Sequence, residues 1–271
     1  MYFKLDLKRL LHNRIIQIVC LALLAMAVIN PLIQKGMFIR YDIGVSIGAH
    51  PFNYAGFEDT VTLMRFFFAM LPVFPVFWGG ILYYEESKSS IRGFLVVRGK
   101  RTAYFLSKAC SVFLVSLLTF LAVLFINIGI VYMLFPTSGK INEAFIPMSG
   151  TFAEILFEKS PLLLTVFYVF CYALTIALFS VFILGLQMCI RFPNRYIAMI
   201  APVVILYIII FILDSFVSIR AYDINIIIQP ASSYAVTTII KGWDYLITFV
   251  GWGVIDVILF GVGLLRNRDV I

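Results

Sequence analysis

The side chains able to carry out chemistry are few in this sequence and lie far apart. The chain has only two histidines, His12 and His50, and both lie outside its long apolar stretches. Glu85 and Glu86 are adjacent carboxylates, as at the start of an acidic signature of some intramembrane proteases. Ser90 stands where that signature would have an arginine. Metal-dependent proteolysis requires histidines and carboxylates that meet inside the membrane. We therefore expect no catalytic residue and no metal site in this chain.

The nearest match to a phosphate-binding loop also lacks the required residues. That loop needs four residues between its glycines, and a Lys followed by Ser or Thr, because backbone amides surround the phosphates. Here five residues separate Gly93 from Gly99, and Arg101 follows Lys100 in place of the hydroxyl. We expect this chain to bind no ATP and no other cofactor.

Two polar residues inside apolar stretches are the remaining candidates. Asp256 lies near the middle of the last stretch, between Gly253 and Gly263, and Asn127 lies in the third. An unpaired charge at that depth is unfavourable by several kcal/mol, so Asp256 should face protein, be hydrogen-bonded, or be neutral. The glycines would allow another helix to approach closely. A functional role in gating or substrate contact and a structural interhelical hydrogen bond are both open for Asp256. For Asn127 we favour a structural role.

The elements that must position these residues are membrane helices. About 62 % of the 271 residues are hydrophobic, and six apolar stretches approach or exceed the ~20 residues that a helix needs to cross a bilayer. The sequence predicts an all-α integral membrane protein with a single transmembrane domain covering residues 1–271. Continuous apolar segments favour a helical bundle over a barrel. The predicted spans are residues 15–33, 63–84, 109–135, 162–190, 197–213 and 245–265.

The distribution of positive charge predicts the orientation. Of 21 lysines and arginines, 14 lie in segments on the side of the amino terminus, six lie on the other side, and Arg65 lies near the outer end of a span. Cytoplasmic loops carry an excess of such residues. We therefore expect a multi-pass protein of the cell membrane with both termini in the cytoplasm. The net charge of +7 is explained by orientation and by anionic lipid, so we expect no nucleic-acid partner.

Three segments outside the predicted spans have distinctive patterns. Residues 1–14 place apolar side chains on one helical face and basic ones on the other, which is typical of a helix lying in the membrane interface. The apolar face consists of Phe3, Leu7, Leu10 and Leu11, and the basic face of Lys4, Lys8 and Arg9. The loop from Glu85 to Lys108 has an apolar centre between charged residues, which favours a docking element. The connection from Asp214 to Asp244 is more apolar than a solvated loop, so we expect it to re-enter the bilayer in part.

The loop Glu85–Lys108 resembles the loop between the second and third helices of type-2 ABC exporter permeases. In that family an acidic residue closes the second helix, a short coupling helix follows, and an Arg-rich turn and a lysine open the third. Ser89-Ser90 departs from the family's usual Gly-Thr. The amino-terminal helix, the six spans and the Gln-Pro in the last connection also agree with the family. The family pattern matches Glu86, Ile91, Arg92, Leu95, Arg101 and Lys108. Together with the loop's apolar centre and charged rim, it implies that the docking residues are Glu85, Glu86, Ile91, Arg92, Phe94, Leu95, Val96, Arg98 and Arg101.

The resemblance also implies a function. A permease of this family dimerises and docks separate ATP-binding subunits, which hold ATP and Mg²⁺ and drive export. The chain would be the transmembrane subunit, either as a homodimer or as a heterodimer with a second permease chain. The apolar, aromatic interior, with 27 Phe and 14 Tyr, suits a hydrophobic or amphipathic substrate such as a lipid, a peptide or a drug-like molecule. The same composition also suits simple contact with lipid.

Two other classes of protein compete with this interpretation. An ion-gradient transporter or channel would be expected to show several intramembrane ionisable residues or internal repeats, and Asp256 alone is weak support. A non-transporting assembly or sensor protein would have no neighbouring gene for an ATP-binding subunit.

The predicted topology can be tested by cysteine labelling. In a cysteine-free background, a membrane-impermeant maleimide should label single cysteines placed in 36–60, 137–158 and 218–240 in intact cells. Cysteines placed in 88–104 should react only after permeabilisation, because the positive charges assign that loop to the cytoplasm. Labelling of 88–104 in intact cells would refute the orientation.

Overall fold

The computed structural model describes residues 2–41, 50–55, 70–88, 101–143, 146–147, 149–190, 192–215 and 240–266. These residues form helices and connecting turns, with no strand among them. A short 3₁₀ helix covers Pro51–Tyr54. The eight α-helices are α1 (Tyr2–His12), α2 (Arg14–Tyr41), α3 (Pro75–Lys88), α4 (Arg101–Leu134), α5 (Phe152–Lys159), α6 (Pro161–Cys189), α7 (Arg195–Ser215) and α8 (Gly242–Arg266).

Five of these helices are long and apolar enough to cross a membrane, namely α2, α4, α6, α7 and α8. They correspond to five of the six predicted spans. By the length and composition of these helices, the chain is a multi-pass helical membrane protein. Helix α4, which corresponds to the third predicted span, starts earlier than predicted, at Arg101 instead of residue 109. No glycine or proline interrupts residues 101–108, so the helix continues into what was expected to be loop.

The second predicted span, residues 63–84, differs most from the structure. Residues 63–69 lie outside the described residues, and residues 70–74 form turns. The helix begins only at Pro75, because Pro72 and Pro75 lack a donor N–H and restrict the residues before them. A proline in the first helical position is favourable, and α3 starts on one. Its 14 residues extend about 21 Å, which is short of the ~30 Å hydrocarbon core.

Contacts between the helices fix their relative directions. Ala27 of α2 contacts Asn127 of α4, and Lys35 lies near Phe135, so α2 and α4 run in parallel. Rings of α4 and α6 meet in reversed order, with Phe120 near Tyr172 and Phe125 near Phe170. Helices α6 and α8 run in parallel, through the contacts of Tyr168 with Tyr245 and of Phe179 with Trp252.

As a result, α2 begins and α8 ends at the same end of the bundle, which we call the terminal face. The amino-terminal helix α1 also lies there, since the Ser107 hydroxyl near the start of α4 donates to Asp6 at 3.0 Å. The expected amino-terminal helix is therefore present. Its predicted apolar face is divided: Leu10 is buried against protein, whereas Phe3 and Leu11 are exposed.

Helix α6 is the centre of the bundle. In its most apolar stretch 83 % of the residues are buried, compared with 22–44 % in the other four long helices. Glycines bring its neighbours close. A Cβ added to Gly79 of α3 would overlap the Ser180 carbonyl oxygen, and one added to Gly263 of α8 would lie 2.7 Å from Met188 Cβ. The hydroxyls of Thr175 and Ser180 donate to carbonyls one turn earlier, which satisfies them inside the bundle.

The opposite end of the bundle is covered by α5 and the 3₁₀ helix. Helix α5 lies in a region predicted to be loop, although its signal was present: Thr151 accepts from the Glu154 N–H at 3.2 Å, and Glu154 accepts from the Gly150 N–H. The ring of Phe152 contacts Tyr245 of α8. Burial lowers the pKa of His50, which is consistent with a neutral imidazole accepting the Phe52 N–H.

Several predicted features lie outside the described residues. They include most of the connection expected to re-enter the bilayer, since residues 216–239 are not described. Ile240, next to this segment, is buried, and its carbonyl accepts the Phe152 N–H at 3.0 Å.

Close packing through glycine gives a direct test of this fold. Gly263→Ala should lower the free energy of unfolding by about 1–3 kcal/mol, because the added methyl group meets Met188. Gly79→Ala should do the same against the Ser180 carbonyl. Gly261→Ala is the matched control: no described heavy atom lies within 4 Å of its added Cβ, so it should be neutral or slightly stabilising. Unfolding in detergent micelles measures all three, and equal effects at Gly261 and Gly263 would contradict the packing.

Candidate functional site

Most of the predicted docking residues lie outside the described part of the chain. Glu85 and Glu86 are in the last turn of α3, and Arg101 is the first residue of α4. The loop is therefore shorter than predicted, because its two ends belong to helices. The expected coupling helix and the remaining docking residues, Ile91, Arg92, Phe94, Leu95, Val96 and Arg98, fall within residues 89–100, which are not described.

The helices on either side of this loop contribute residues to one group at the terminal face. We call this group the basal cluster, and it consists of Asp6, Tyr83, Tyr104, Ser107 and Lys108. Lys108 is completely buried. Its ammonium group donates to the Tyr104 hydroxyl at 3.0 Å and lies 5.9 Å from the centre of the Tyr83 ring. A buried ammonium requires such hydrogen-bond acceptors and aromatic faces. The basal cluster therefore joins α1, the end of α3 and the start of α4.

Sequence analysis identified Lys108 only through the family resemblance, and Asp6 was not considered. Asp6 is 1 % exposed, although it lies in a helix predicted to rest on the membrane surface. A possible signal was an acidic residue at helical spacing from Leu10, on the same face.

Asn127 satisfies a carbonyl that a proline leaves without its helical partner. In an α-helix the N–H of residue 31 would donate to the carbonyl of residue 27, but Pro31 has no N–H. The Asn127 side-chain amide donates to that Ala27 carbonyl at 3.0 Å, across from α4 to α2. Proline is tolerated in membrane helices when a neighbour supplies the missing donor. The predicted structural role of Asn127 therefore has a specific physical cause.

The same arrangement occurs a second time. Pro202 lies inside α7 and leaves the carbonyl of Ala198 without its helical donor. The Gln187 side-chain amide of α6 donates to that carbonyl at 2.9 Å. Both prolines in the interior of described long helices are thus matched by an amide on a neighbouring helix. Sequence analysis missed the pairing because it depends on which helices are neighbours.

Asp256 is 6 % exposed, and neither of its carboxyl oxygens has a hydrogen-bond partner among the described residues. The interhelical hydrogen bond considered for it is therefore not observed there. One of its two flanking glycines behaves as expected, since Gly263 packs tightly on Met188. No described heavy atom lies within 4 Å of a Cβ added at Gly253. The carboxyl group of Asp256 is buried in an apolar region without a visible structural purpose.

These features define a class of protein: a multi-pass helical membrane protein with a buried polar cluster around Lys108 and Asp6 at one face and a buried carboxyl inside the bundle. No protein-family model matches the chain, and comparisons with characterised proteins and with solved structures also found no match. Among the described residues no group of three histidines, cysteines or carboxylates could hold a metal ion.

The proline–amide pairs predict a specific energetic coupling. Asn127→Leu should destabilise the protein, because the Ala27 carbonyl loses its donor inside the membrane; the coupling should be about 1 kcal/mol. In a Pro31→Ala background the helix supplies that donor itself, so the loss should largely disappear. The measurement is a double-mutant cycle on unfolding in micelles.

A mismatched cycle provides the control. Pro31→Ala combined with Gln187→Met should be additive, whereas Pro202→Ala combined with Gln187→Met should show coupling. Equal coupling in matched and mismatched cycles would contradict the assignment.

Proposed function

We propose that this chain is the transmembrane permease subunit of an ATP-driven exporter of the type-2 ABC class. It functions as a dimer, either with itself or with a second permease chain, and separate ATP-binding subunits dock at its cytoplasmic face. The proposed substrate is hydrophobic or amphipathic and moves outward from the cytoplasm or the inner leaflet. In this proposal the chain holds no cofactor and catalyses no reaction itself.

The observation that carries the proposal is the basal cluster, to which both helices that flank the predicted docking loop contribute. A partner that changes shape on ATP hydrolysis must push on something rigid to move the membrane helices. Lys108 and Tyr104 hold the start of α4 to Tyr83 near the end of α3, and Asp6 attaches α1 to the same place. The two helices that flank residues 89–100 in the sequence, α3 and α4, both contribute to this cluster. A force applied to that loop would therefore reach three helices together.

The helix directions also support the proposal, because α3 runs against α4: Phe74 lies near Phe120, and Tyr83 lies near Phe105. With α3 as the second span, the order α2, α3, α4, α6, α7 and α8 gives six passes with both termini at the terminal face. The positive-charge distribution assigns that face to the cytoplasm. Phe3 and Leu11 of α1 are then exposed where the headgroups lie, which suits an interfacial helix.

One observation favours the ion-gradient transporter as the second candidate. Asp256 is a buried, unpartnered carboxyl, and intramembrane carboxyls often belong to ion or proton pathways. The two candidates differ in their energy source. Reconstituted transport that requires ATP and an ATP-binding subunit supports the exporter, whereas transport driven by an imposed ion gradient without nucleotide supports the rival.

The docking loop provides the decisive variant. Replacing Leu95 and Val96 by Asp should remove apolar surface that the proposed partner covers. The tagged permease purified from its native membrane should then lose the copurifying ATPase activity by tenfold or more, or lose coupling of hydrolysis to transport. It should still insert and dimerise.

The matched control is Ile146→Asp combined with Ile155→Asp. Both residues are exposed, 45 % and 53 %, at the opposite face, so this pair should leave the copurifying ATPase unchanged. If the Leu95 and Val96 variant retains a normally stimulated ATPase, or if the wild-type protein transports with no nucleotide-binding partner, the exporter proposal fails.

A further inference from the structure

Helix α1 has a buried side that holds it in one orientation against α4. Asp6 and Leu10 form this side and are 1 % and 0 % exposed. The Ser107 hydroxyl of α4 donates to Asp6 at 3.0 Å. The rings of Tyr2 and Tyr104 meet edge to face, with their centres 5.9 Å apart. These contacts oppose rotation of α1 about its own axis, so the residues on its other side keep a constant direction.

The corner between α1 and α2 is fixed by side-chain hydrogen bonds as well. The Asn13 side chain accepts the Ile15 N–H at 2.9 Å, which satisfies a donor at the start of α2. The Gln17 side-chain amide donates back to the Leu11 carbonyl at 2.9 Å. Helix α1 is therefore held at both its side and its end, and its exposed residues form a surface that is ordered before anything binds to it.

The exposed side of α1 combines lysines with leucines. Lys4, Leu7, Lys8 and Leu11 are neighbours on it, because each is three or four residues from the next. Both lysines and Leu11 are exposed, and Leu7 is half-buried. We call these four residues the basic-apolar face. It lies at the terminal face, where the membrane-spanning helix α2 begins, so lysines at this depth reach headgroups while the leucines meet acyl chains.

The positive charge of this face is not neutralised by the described part of the protein. Asp6 is the only acidic residue of α1, and it lies on the buried side with Ser107. No ion pair joins Lys4 or Lys8 to a described residue. Charge complementarity therefore requires an anionic occupant. A soluble anion would leave the side chain of Leu11 uncovered, whereas an anionic phospholipid supplies a phosphate and acyl chains in one molecule.

We propose that the basic-apolar face of α1 is a binding site for an anionic phospholipid such as phosphatidylglycerol. Its phosphate lies between Lys4 and Lys8, and its acyl chains lie along Leu7 and Leu11. Because the buried side of α1 packs on the basal cluster, lipid binding and the packing of α1 on α4 strengthen each other reciprocally. The binding itself goes beyond the proposed function. Only its consequence for export, a lipid-dependent coupling to the ATP-binding subunits, rests on that function.

A lipid titration of the full-length protein tests the proposal. Native mass spectrometry of the protein in detergent micelles measures the affinity for single molecules of dioleoylphosphatidylglycerol and dioleoylphosphatidylcholine. The wild type should bind the anionic lipid at least tenfold more tightly than the zwitterionic one. Lys4→Gln combined with Lys8→Gln should lower the affinity for phosphatidylglycerol at least fivefold, since each lysine near an anionic lipid contributes about that factor. The affinity for phosphatidylcholine should stay unchanged.

The matched control is Lys140→Gln combined with Lys159→Gln. It removes the same charge from two exposed lysines at the opposite face, so it should bind phosphatidylglycerol as the wild type does. Soluble glycerol phosphate at millimolar concentration should not displace the lipid, because it lacks acyl chains.

The proposal is overturned if the Lys4 and Lys8 variant binds phosphatidylglycerol as the wild type does, or if the control pair loses as much affinity. Displacement by glycerol phosphate also overturns it, because the site would then recognise a free phosphate. Equal binding of the two lipids by the wild type would overturn it in favour of an acidic protein surface as the occupant. Because the assay contains no ATPase, its outcome is independent of the docking test for the exporter.

Reciprocity provides a second readout, in nanodiscs with and without phosphatidylglycerol. The anionic lipid should slow amide hydrogen exchange in α1 and at the start of α4 at least fivefold in the wild type. The slowing should disappear in the Lys4 and Lys8 variant, whose buried side is intact. Exchange that stays unchanged while the lipid binds would overturn the link between the lipid and the basal cluster.

Discussion

The burial of α6 is the constraint on which the rest of the bundle depends. A helix surrounded by protein instead of lipid gains nothing from hydrophobicity alone, because lipid tails are equally apolar. Its stability must come from close contact, and glycines provide this where α3 and α8 approach it. The aromatic contacts with α4, and those of Phe179 and Phe182 with Trp252, fill the remaining space. Each neighbour is thereby placed relative to a single central helix.

That arrangement separates two kinds of surface. At the terminal face the basal cluster binds α1, α3 and α4 into one unit through a buried ammonium and its tyrosines. At the opposite face α5 and the 3₁₀ helix cover the helix ends mainly with aromatic rings, such as Phe52 on Phe157. The terminal face is thus held together by a buried ammonium, whereas aromatic contacts cover the helix ends at the opposite face.

The sequence predicts much of this fold, since five of its six apolar stretches are long helices within about eight residues of the expected ends. Local rules also explain where prediction went wrong. Pro72 and Pro75 shorten α3, the helix of the second predicted span. The N-cap Thr151, with Glu154 three residues later, marks a helix that hydropathy alone did not reveal. The candidate site was harder to predict from the sequence. Asn127 and Asp256 were identified as polar residues in apolar surroundings, but the Ala27 carbonyl and the absence of a described partner for Asp256 depend on packing that no local pattern encodes.

The proline–amide pairs have a consequence for how this sequence can change over evolutionary time. Once Asn127 supplies the donor that Pro31 lacks, the asparagine can be lost freely only after the proline has been replaced. In the same way, Gln187 can be lost freely only after Pro202 has been replaced. Each pair therefore behaves as one inherited unit divided between two helices. Among relatives of this protein, the proline and its amide should tend to appear together and disappear together, which identifies neighbouring helices from sequences alone.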